Sequence, residues 1–361
     1  MSTSSSLLPR VPKYVRIAES LKEDMARGVF SPDDQLPSFT EMTQRFQVAK
    51  HTIDKAHAIL ERDGLVRREQ GRGIFVEHQK KKSRTDNIGL LLPGTTHHDS
   101  YSRELIAGIQ QQARTNGVDV MLADGNAPIT TKNIDGILLF CNNYEVVALD
   151  LPARMPRVLL LSPAGGLNIA NVVADDFGGT KMATTHLLKL GHRRISFMLA
   201  AEDDTYSLQR LAGYRAALDE FGVNFDERLC FFIDKRTAEC SLPTNYFLSG
   251  EENMNRWLAR GWRKLQATAI LAPNDARAFG MMKALGAKGL NVPQDVSVVG
   301  FDGVGIGARG ASPLTTVQVP LRAIGACSAK LLWKQIQKGG HFAKQIVLPV
   351  QLKIGQSTAP V

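Results

Sequence analysis

Apolar positions recur at two different spacings along this chain, and the change from one to the other falls near residue 80. In YVRIAESLKEDMAR, residues 14–27, Tyr14, Ile17, Ala18, Leu21 and Met25 share one face at a helical period, which predicts an amphipathic helix stopped by Gly28. After the turn SPDDQLPS, Ser38 with Glu41 three residues on forms a capping-box pattern ahead of a short helix, FTEMTQRF. A third helix, KHTIDKAHAIL, starts at Lys50 and ends at Asp63-Gly64. Its turn angle puts Ala49, Ile53, Ala56 and Leu60 inward, and Lys50, His51, Asp54, Lys55 and Ala58 outward. Two short strands around Gly71-Arg72-Gly73 then predict a β-hairpin in LVRREQGRGIFVEH. Three helices and a hairpin predict a winged helix-turn-helix (α+β) over residues 11–78. A disordered N-terminus, 1–10, precedes it, and the polar, basic linker QKKKSRTDN, 79–87, follows.

From Ile88 the pattern becomes one of wholly apolar runs alternating with amphipathic helices: IGLLLP, VDVMLAD, IDGILLF, RVLLLSP, RISFMLA, ATAILAPND and VSVVGFD are the clearest runs. Strands apolar on both faces predict a mainly parallel sheet covered by helices on both sides. About ten such runs suit two doubly wound α/β subdomains better than one sheet. The expected division of this domain, residues 88–358, is about 88–175 plus 319–342 for the first subdomain and 176–318 plus 343–358 for the second.

Length and charge sharpen this outline. At 361 residues the chain exceeds what one core usually organises. The net charge is +9, and residues 1–85 hold 16 basic and 11 acidic side chains, a balance that fits a polyanionic partner and a solvated face equally well. Cys141, Cys230, Cys240 and Cys327 form no CxxC pair and have no histidine at zinc spacing, so reduced thiols in a cytoplasmic protein are expected. A secretory apolar region and a run of ~18 apolar residues are both missing, which argues against export and membrane spanning.

Residues 11–78 resemble the GntR family of bacterial regulators, through Tyr14, LPS at 36–38, VAKHTI at 48–53, DGLVRR at 63–68 and GRGIFV at 71–76. The resemblance implies a double-stranded operator as partner, with a helix in the major groove and the hairpin wing and helix N-termini on phosphate. The candidate DNA-binding residues are Ser38, Thr40, Lys50, His51, Thr52, Asp54, Lys55, Arg67, Arg68, Gly71, Arg72 and Gly73. Two positions depart from the family: its arginine in LPSER is Thr40 here, and its arginine after TV or TI is Asp54. Asp54 is expected either to be partly neutralised by Lys50 one turn earlier or to accept from cytosine N4 in the groove.

Residues 86–358 resemble the ligand-sensing core of the LacI/GalR family, itself similar to periplasmic binding proteins. The carrying segments include NIGLLLP, VVADDFGG, HLLKLGHRRISF, RLAGYRAAL, TAILAPNDARAFGMMKAL and GLNVPQDVSVVGFDG. The pairing with a GntR-type reader resembles the arabinose-repressor group of Gram-positive bacteria. A small-molecule effector, a sugar or sugar derivative, is implied in the cleft between subdomains, at the carboxyl ends of the strands. Arg210, Asn274 and Asp302 are expected to bind it, Asp176 to lie at the same mouth, and Tyr101, in a loop before the first helix, to supply an apolar face. Asp176 equally suits the cap of the helix that it precedes, and Asp275 suits such a cap better than a ligand role. The ten or so residues between VDVMLAD and IDGILLF are too few for the family's helix, which leaves dimer geometry open.

Other motifs fail on context. GIGARG at 305–310 is followed by β-like residues where a dinucleotide site needs a helix, so no cofactor is expected. His97-His98-Asp99 reads as a solvated loop and not as a metal site. GxSxG, HExxH and P-loop patterns are missing, and an enzyme is not expected. The reading is a ligand-responsive regulator, a repressor released by sugar and acting as a homodimer. The alternative is a small-molecule binding protein whose N-terminal domain docks a protein partner instead of DNA.

Overall fold

Helix α1, Lys13–Ala26, buries Ile17, Ala18 and Leu21 and packs Tyr14 and Met25 against the same core, so the predicted stripe is the packed one. The computed structural model describes residues 12–77, 84–92, 100–124, 131–140, 149, 151–152, 154–199, 205–233, 246–304, 314–340 and 342–361. The chain divides into two compact units, residues 1–84 with 150–154, and residues 85–149 with 155–361.

In the smaller unit, α2 (Phe39–Phe46) begins at the Ser38 capping box, both halves of which form. Gln47, in the left-handed region at φ 49°, turns the chain into α3 (Lys50–Arg62). Ile53, Ala56 and Leu60 of α3 are buried as the periodicity requires, but Ala49 is exposed because it is the residue that precedes the helix. His57 takes the extra buried place, since Phe39 packs edge-on against its ring at 5.1 Å and widens the covered face of α3. Strands β1 (Val66–Glu69) and β2 (Gly73–Val76) form the antiparallel hairpin, and residues 33–36 run along β2 as a third edge through Leu36 N–H to Ile74 O and Val76 N–H to Asp34 O.

The larger unit holds two six-stranded sheets. The first orders β4 (Asp119–Asp124), β3 (Asn87–Leu92), β5 (Gly136–Leu139), β6 (Arg157–Leu160), β7 (Ala170–Ala174) and β13 (Gln345–Leu348), all parallel. The second orders β9 (Cys230–Phe232), β8 (Ile195–Leu199), β10 (Ala269–Leu271), β11 (Ser297–Asp302) and β12 (Thr315–Gln318) in parallel, with β14 (Gln351–Lys353) antiparallel at the edge. Helices α4 (Ser100–Asn116) and α9 (Leu321–Lys338) pack on the first; α5 (Asp176–Lys189), α6 (Thr205–Glu220), α7 (Tyr246–Ala259) and α8 (Asp275–Gly286) belong with the second.

Several boundaries differ from expectation. The linker's last residues belong to the larger unit: the Thr85 and Asp86 amides donate to the Asp135 carboxylate at 3.0 Å, and Asn87 opens β3. Residues 345–348 join the first sheet through β13 and not the second subdomain, so the chain crosses between sheets after β7, after β12 and again between β13 and β14. Strand β9, helix α7 and the strands β13 and β14 have no counterpart in the sequence expectations. Between β4 and β5 the described residues hold one 3₁₀ turn, Thr131–Asn133, in place of a helix. The candidate motifs at 97–99 and 305–310, and Cys141 and Cys240, lie outside the described residues. Cys230 and Cys327 are free thiols, and burial pushes that of Cys230 up to about 12.

Paired helices meet through reciprocal glycines. A Cβ on Gly108 of α4 would overlap Arg322 O of α9, and one on Gly325 of α9 would overlap Leu105 O of α4; Gly250 and Gly280 stand in the same relation to the backbones of α8 and α7. Gly108→Ala and Gly280→Ala are therefore expected to destabilise by ~1–3 kcal/mol each through overpacking. Gly286→Ala, where a Cβ meets nothing within 4 Å, should be neutral or stabilising by up to ~1 kcal/mol. Thermal melts followed by far-UV circular dichroism check the contrast.

Candidate nucleic-acid interface and ligand cleft

The outward face of α3 carries Lys50, His51, Asp54, Lys55 and Ala58, all exposed. Lys50 Nζ lies 5.4 Å from the centre of the Phe39 ring and Lys55 Nζ 5.8 Å from that of Tyr14. Each ammonium is thus held over an aromatic face, with its charge left for solvent or phosphate. Asp54 does not pair with Lys50. Its Oδ1 accepts from Arg68 Nη2 of β1 at 3.0 Å, and Arg68 Nε stands 4.0 Å from Glu61 Oε2, so the guanidinium lies along the outer flank of α3.

Other candidate reader residues are already engaged within the unit. Arg67 binds Asp33 Oδ1 at 2.8 Å, Glu69 Oε1 at 3.2 Å and the Val76 carbonyl at 3.4 Å, and the Asp33 and Glu69 bonds hold its charge above the ordinary arginine range. Ser38 spends its hydroxyl and amide on Glu41, which lowers that carboxyl. Thr40 is exposed at the start of α2, and Thr52 N–H donates to Ala49 O. Arg72 reaches Glu69 Oε2 at 2.6 Å yet stays 72% exposed. Gly71 has open space around it at φ 73°, whereas Gly73, at φ 123°, is needed so that Gln35 can approach and donate to Arg72 O at 2.7 Å. Residues 13–77 carry eleven basic and eleven acidic side chains, so the positive excess of this quarter sits at Arg10, Lys80, Lys81, Lys82 and Arg84.

In the larger unit every expected ligand residue lies just past the carboxyl end of a strand or on the first turns of a helix facing those ends. Asp176 follows β7, Asn274 follows β10, and Asp302 ends β11. Tyr101 is in the first turn of α4 and not in a loop, and stacks on Phe140, which follows β5, at 6.3 Å. Arg210 on α6 donates from Nε to Asp176 Oδ1 and from Nη1 to Pro273 O, both at 2.7 Å, and its guanidinium lies 3.6 Å above the Phe301 ring. The absence of an acid at helical spacing from Arg210 concealed this partner, which comes from another helix. Burial alone would lower the Arg210 pKa, but the charges of Asp176 and Asp302 outweigh it. The helix caps are each one residue earlier than expected. Asp175 caps α5 by accepting from Gly178 N–H, which frees Asp176 for Arg210, and Asn274 caps α8 by accepting from Arg277 N–H.

Two buried carboxyl groups complete the cleft. Asp275 is pushed up to about 7, by burial against bonds from Thr316 and from the backbone of 301–304. Asp302 is raised well above the carboxylate range by burial and then by Asp275, and its backbone is left-handed at φ 116°. Tyr101 is held neutral by burial and by Asp302. Arg277, 8% exposed and stacked on Tyr246 at 4.3 Å, adds a second cation that acts on Asp302. Its signal was a lone arginine in the apolar helix ARAFGMMKAL. Among the described residues no group of three His, Cys, Asp or Glu could hold a metal, and no helix is long and apolar enough to cross a membrane.

This geometry agrees with comparisons to known proteins. Residues 13–76 match the bacterial regulatory proteins of the gntR family, and residues 184–358 match the periplasmic binding protein-like domain. The chain is 30% identical over 296 residues to the HTH-type transcriptional regulator DegA of Bacillus subtilis (strain 168), covering 77% of this chain and 82% of that one. The chain belongs to the LacI/GalR-type transcription regulators, with a gntR-family reader at its N-terminus. The regulator is also 26% identical to the arabinose metabolism transcriptional repressor of Geobacillus stearothermophilus, over 91% of this chain and 92% of that one. Among solved structures it is similar to the transcriptional regulator CelR in complex with cellobiose, at a TM-score of 0.67 and 25% identity, covering 86% and 92% of the two chains.

His57 supplies a test of the reader's packing. Its ring is 1% exposed, neither nitrogen has a hydrogen-bond partner among the described residues, and burial, then the charge of Arg68, lowers its pKa to about 4. The unfolded chain therefore binds the proton first, so stability from this group is full above pH ~6.5 and is lost as pH falls toward 4, by on the order of 3 kcal/mol. Amide protection factors in α1–α3 of the full chain, corrected for the intrinsic pH dependence of exchange, should fall over that window, and His57→Phe should flatten the dependence.

Proposed function

We propose that the regulator is a repressor that binds a near-palindromic operator as a homodimer in the cytoplasm and is released by a sugar or sugar derivative held between Tyr101, Asp176, Arg210, Asn274 and Asp302. The observation that carries the ligand assignment is the convergence of these five residues at the strand ends of one unit. Arg210 retains Nη2 without a partner among the described residues, and Asp302 offers a carboxyl to a hydroxyl. The aromatic faces of Tyr101, Phe140 and Phe301 suit the apolar side of a pyranose or furanose ring. The names of its relatives, which include an arabinose regulator and a cellobiose complex, support a sugar. The reader assignment rests on Lys50, His51, Lys55, Arg68 and Arg72 surrounding one face of α3 and the wing, with Ser38, Thr40, Thr52 and Gly71 beside them. Arg67 and Gly73 serve the wing's own structure. A protein-docking role for this unit is not favoured, because its helices and wing follow the gntR pattern from residue 13 to 76.

Mechanistically, the effector must bind the closed cleft better than the open one, and the difference in affinity sets how far the operator-bound population shifts. The test is gel-shift titration of the full chain on its own upstream DNA. Specific binding that weakens steeply with salt is expected; binding indifferent to salt and sequence would overturn the reader assignment. In parallel, thermal-shift screening of monosaccharides should find a ligand whose saturation at a hundredfold over Kd stabilises by ~2.7 kcal/mol. Asp302→Asn should abolish most of that shift and leave operator affinity intact.

A further inference from the structure

We infer that Asp54 and Arg68 form one reading unit, in which the carboxylate of the recognition helix positions a wing arginine to read an acceptor edge such as guanine O6/N7. The inference rests on the reader assignment and names its specificity determinant. Arg68 leaves the wing strand and crosses to α3, where Asp54 Oδ1 takes its Nη2 at 3.0 Å and Glu61 stands 4.0 Å from its Nε. The bond to Asp54, with the Glu61 charge beside it, holds the guanidinium along one flank of the helix. Nη1 and the second hydrogen of Nη2 have no partner among the described residues, which leaves a two-pronged donor edge.

Both side chains remain about half exposed, 46% for Arg68 and 55% for Asp54, on the face that also carries Lys50 and His51. A pair this exposed contributes little to folding, so its effect lies in where the fork points. An acid on this face repels phosphate if it acts alone; bonded to Arg68 it becomes a positioning residue for a cation. A guanidinium held in this way loses less freedom on meeting a base than a free one does, and a bidentate fork discriminates where a point charge does not. The pair thus returns an arginine to the helix face where the family resemblance expects one at position 54.

The test is selection of the full chain on duplexes with a randomised 20-base-pair core, followed by affinity measurements on selected and scrambled duplexes across salt concentrations. It compares wild type with Asp54→Ala, Arg68→Ala, Arg68→Lys and the double alanine variant, with circular dichroism confirming each fold. Arg68→Lys keeps the charge without the fork. It should keep scrambled-duplex binding and the salt slope while losing about tenfold or more in preference for the selected duplex at one base pair. Asp54→Ala should lose preference at that same base pair, and the double variant should be no worse than Arg68→Ala alone. Tighter binding of Asp54→Ala to every duplex with unchanged base preference overturns the inference and leaves the reader assignment standing. A wild-type chain that selects no sequence overturns both.

Discussion

A parallel sheet covered by helices on both faces has room for polar chemistry only at the ends of its strands, and this constraint organises the larger unit. Strands such as Gly136–Leu139 and Ile195–Leu199 are buried at every position, so they serve the interior, with Ser196 and the Ile195 carbonyl accepting buried bonds from Trp262 and Tyr214. What they do is bring Phe140, Asp176, Asn274 and Asp302 to one place by ending there. Charges gathered this way are buried among aromatic rings and carboxyl groups, and each has a partner: Arg210 has Asp176 and Pro273 O, and Asp275 has Thr316 and backbone amides. A buried ion pair of this kind is weak evidence for stability, because desolvation offsets the attraction; what it does is fix the orientation of the Arg210 guanidinium.

The smaller unit faces the opposite situation. It is short, its core is a dozen buried apolar side chains, and its charges lie on the surface and are balanced. Positive charge is therefore a matter of placement and not of excess. Lys50 and Lys55 are kept available over aromatic rings, Arg67 is consumed in bracing the wing against Asp33, and Arg68 is moved to the helix by Asp54. The unbalanced cations sit mainly in the 80–84 stretch, outside the folded helices and wing.

What was legible in the sequence was local. The stripe of α1, the capping box at Ser38 and Glu41 and the hairpin after Gly64 each depend on residues within a few positions of one another. The five cleft residues were named through family resemblance, and the structure brings them together. What was not legible was pairing across distance: the partner of Asp54 is 14 residues away and that of Arg210 is 34 away. Caps were misplaced by one residue because Asp175 and Asp176, or Asn274 and Asp275, are chemically near-equivalent until the backbone decides which precedes the helix. Strand β13 was missed because QIVL has four residues, half of them exposed, and its partner β7 lies about 175 residues earlier.

The crossings between the two sheets carry a last consequence. Asp175 N–H donates to Leu348 O at 3.0 Å and Val319 N–H to Asp302 O at 3.1 Å, so two of the three crossings are bonded directly to neighbouring strands. Asp302 belongs to that arrangement through its carbonyl and to the cleft through its carboxyl, with a strained backbone between them. One residue thus holds a strand crossing through its backbone and faces the charged cluster at the strand ends through its side chain. A change of side chain at Asp302 leaves its carbonyl bond to Val319 in place, whereas a residue that cannot hold a backbone at φ 116° would disturb the crossing itself.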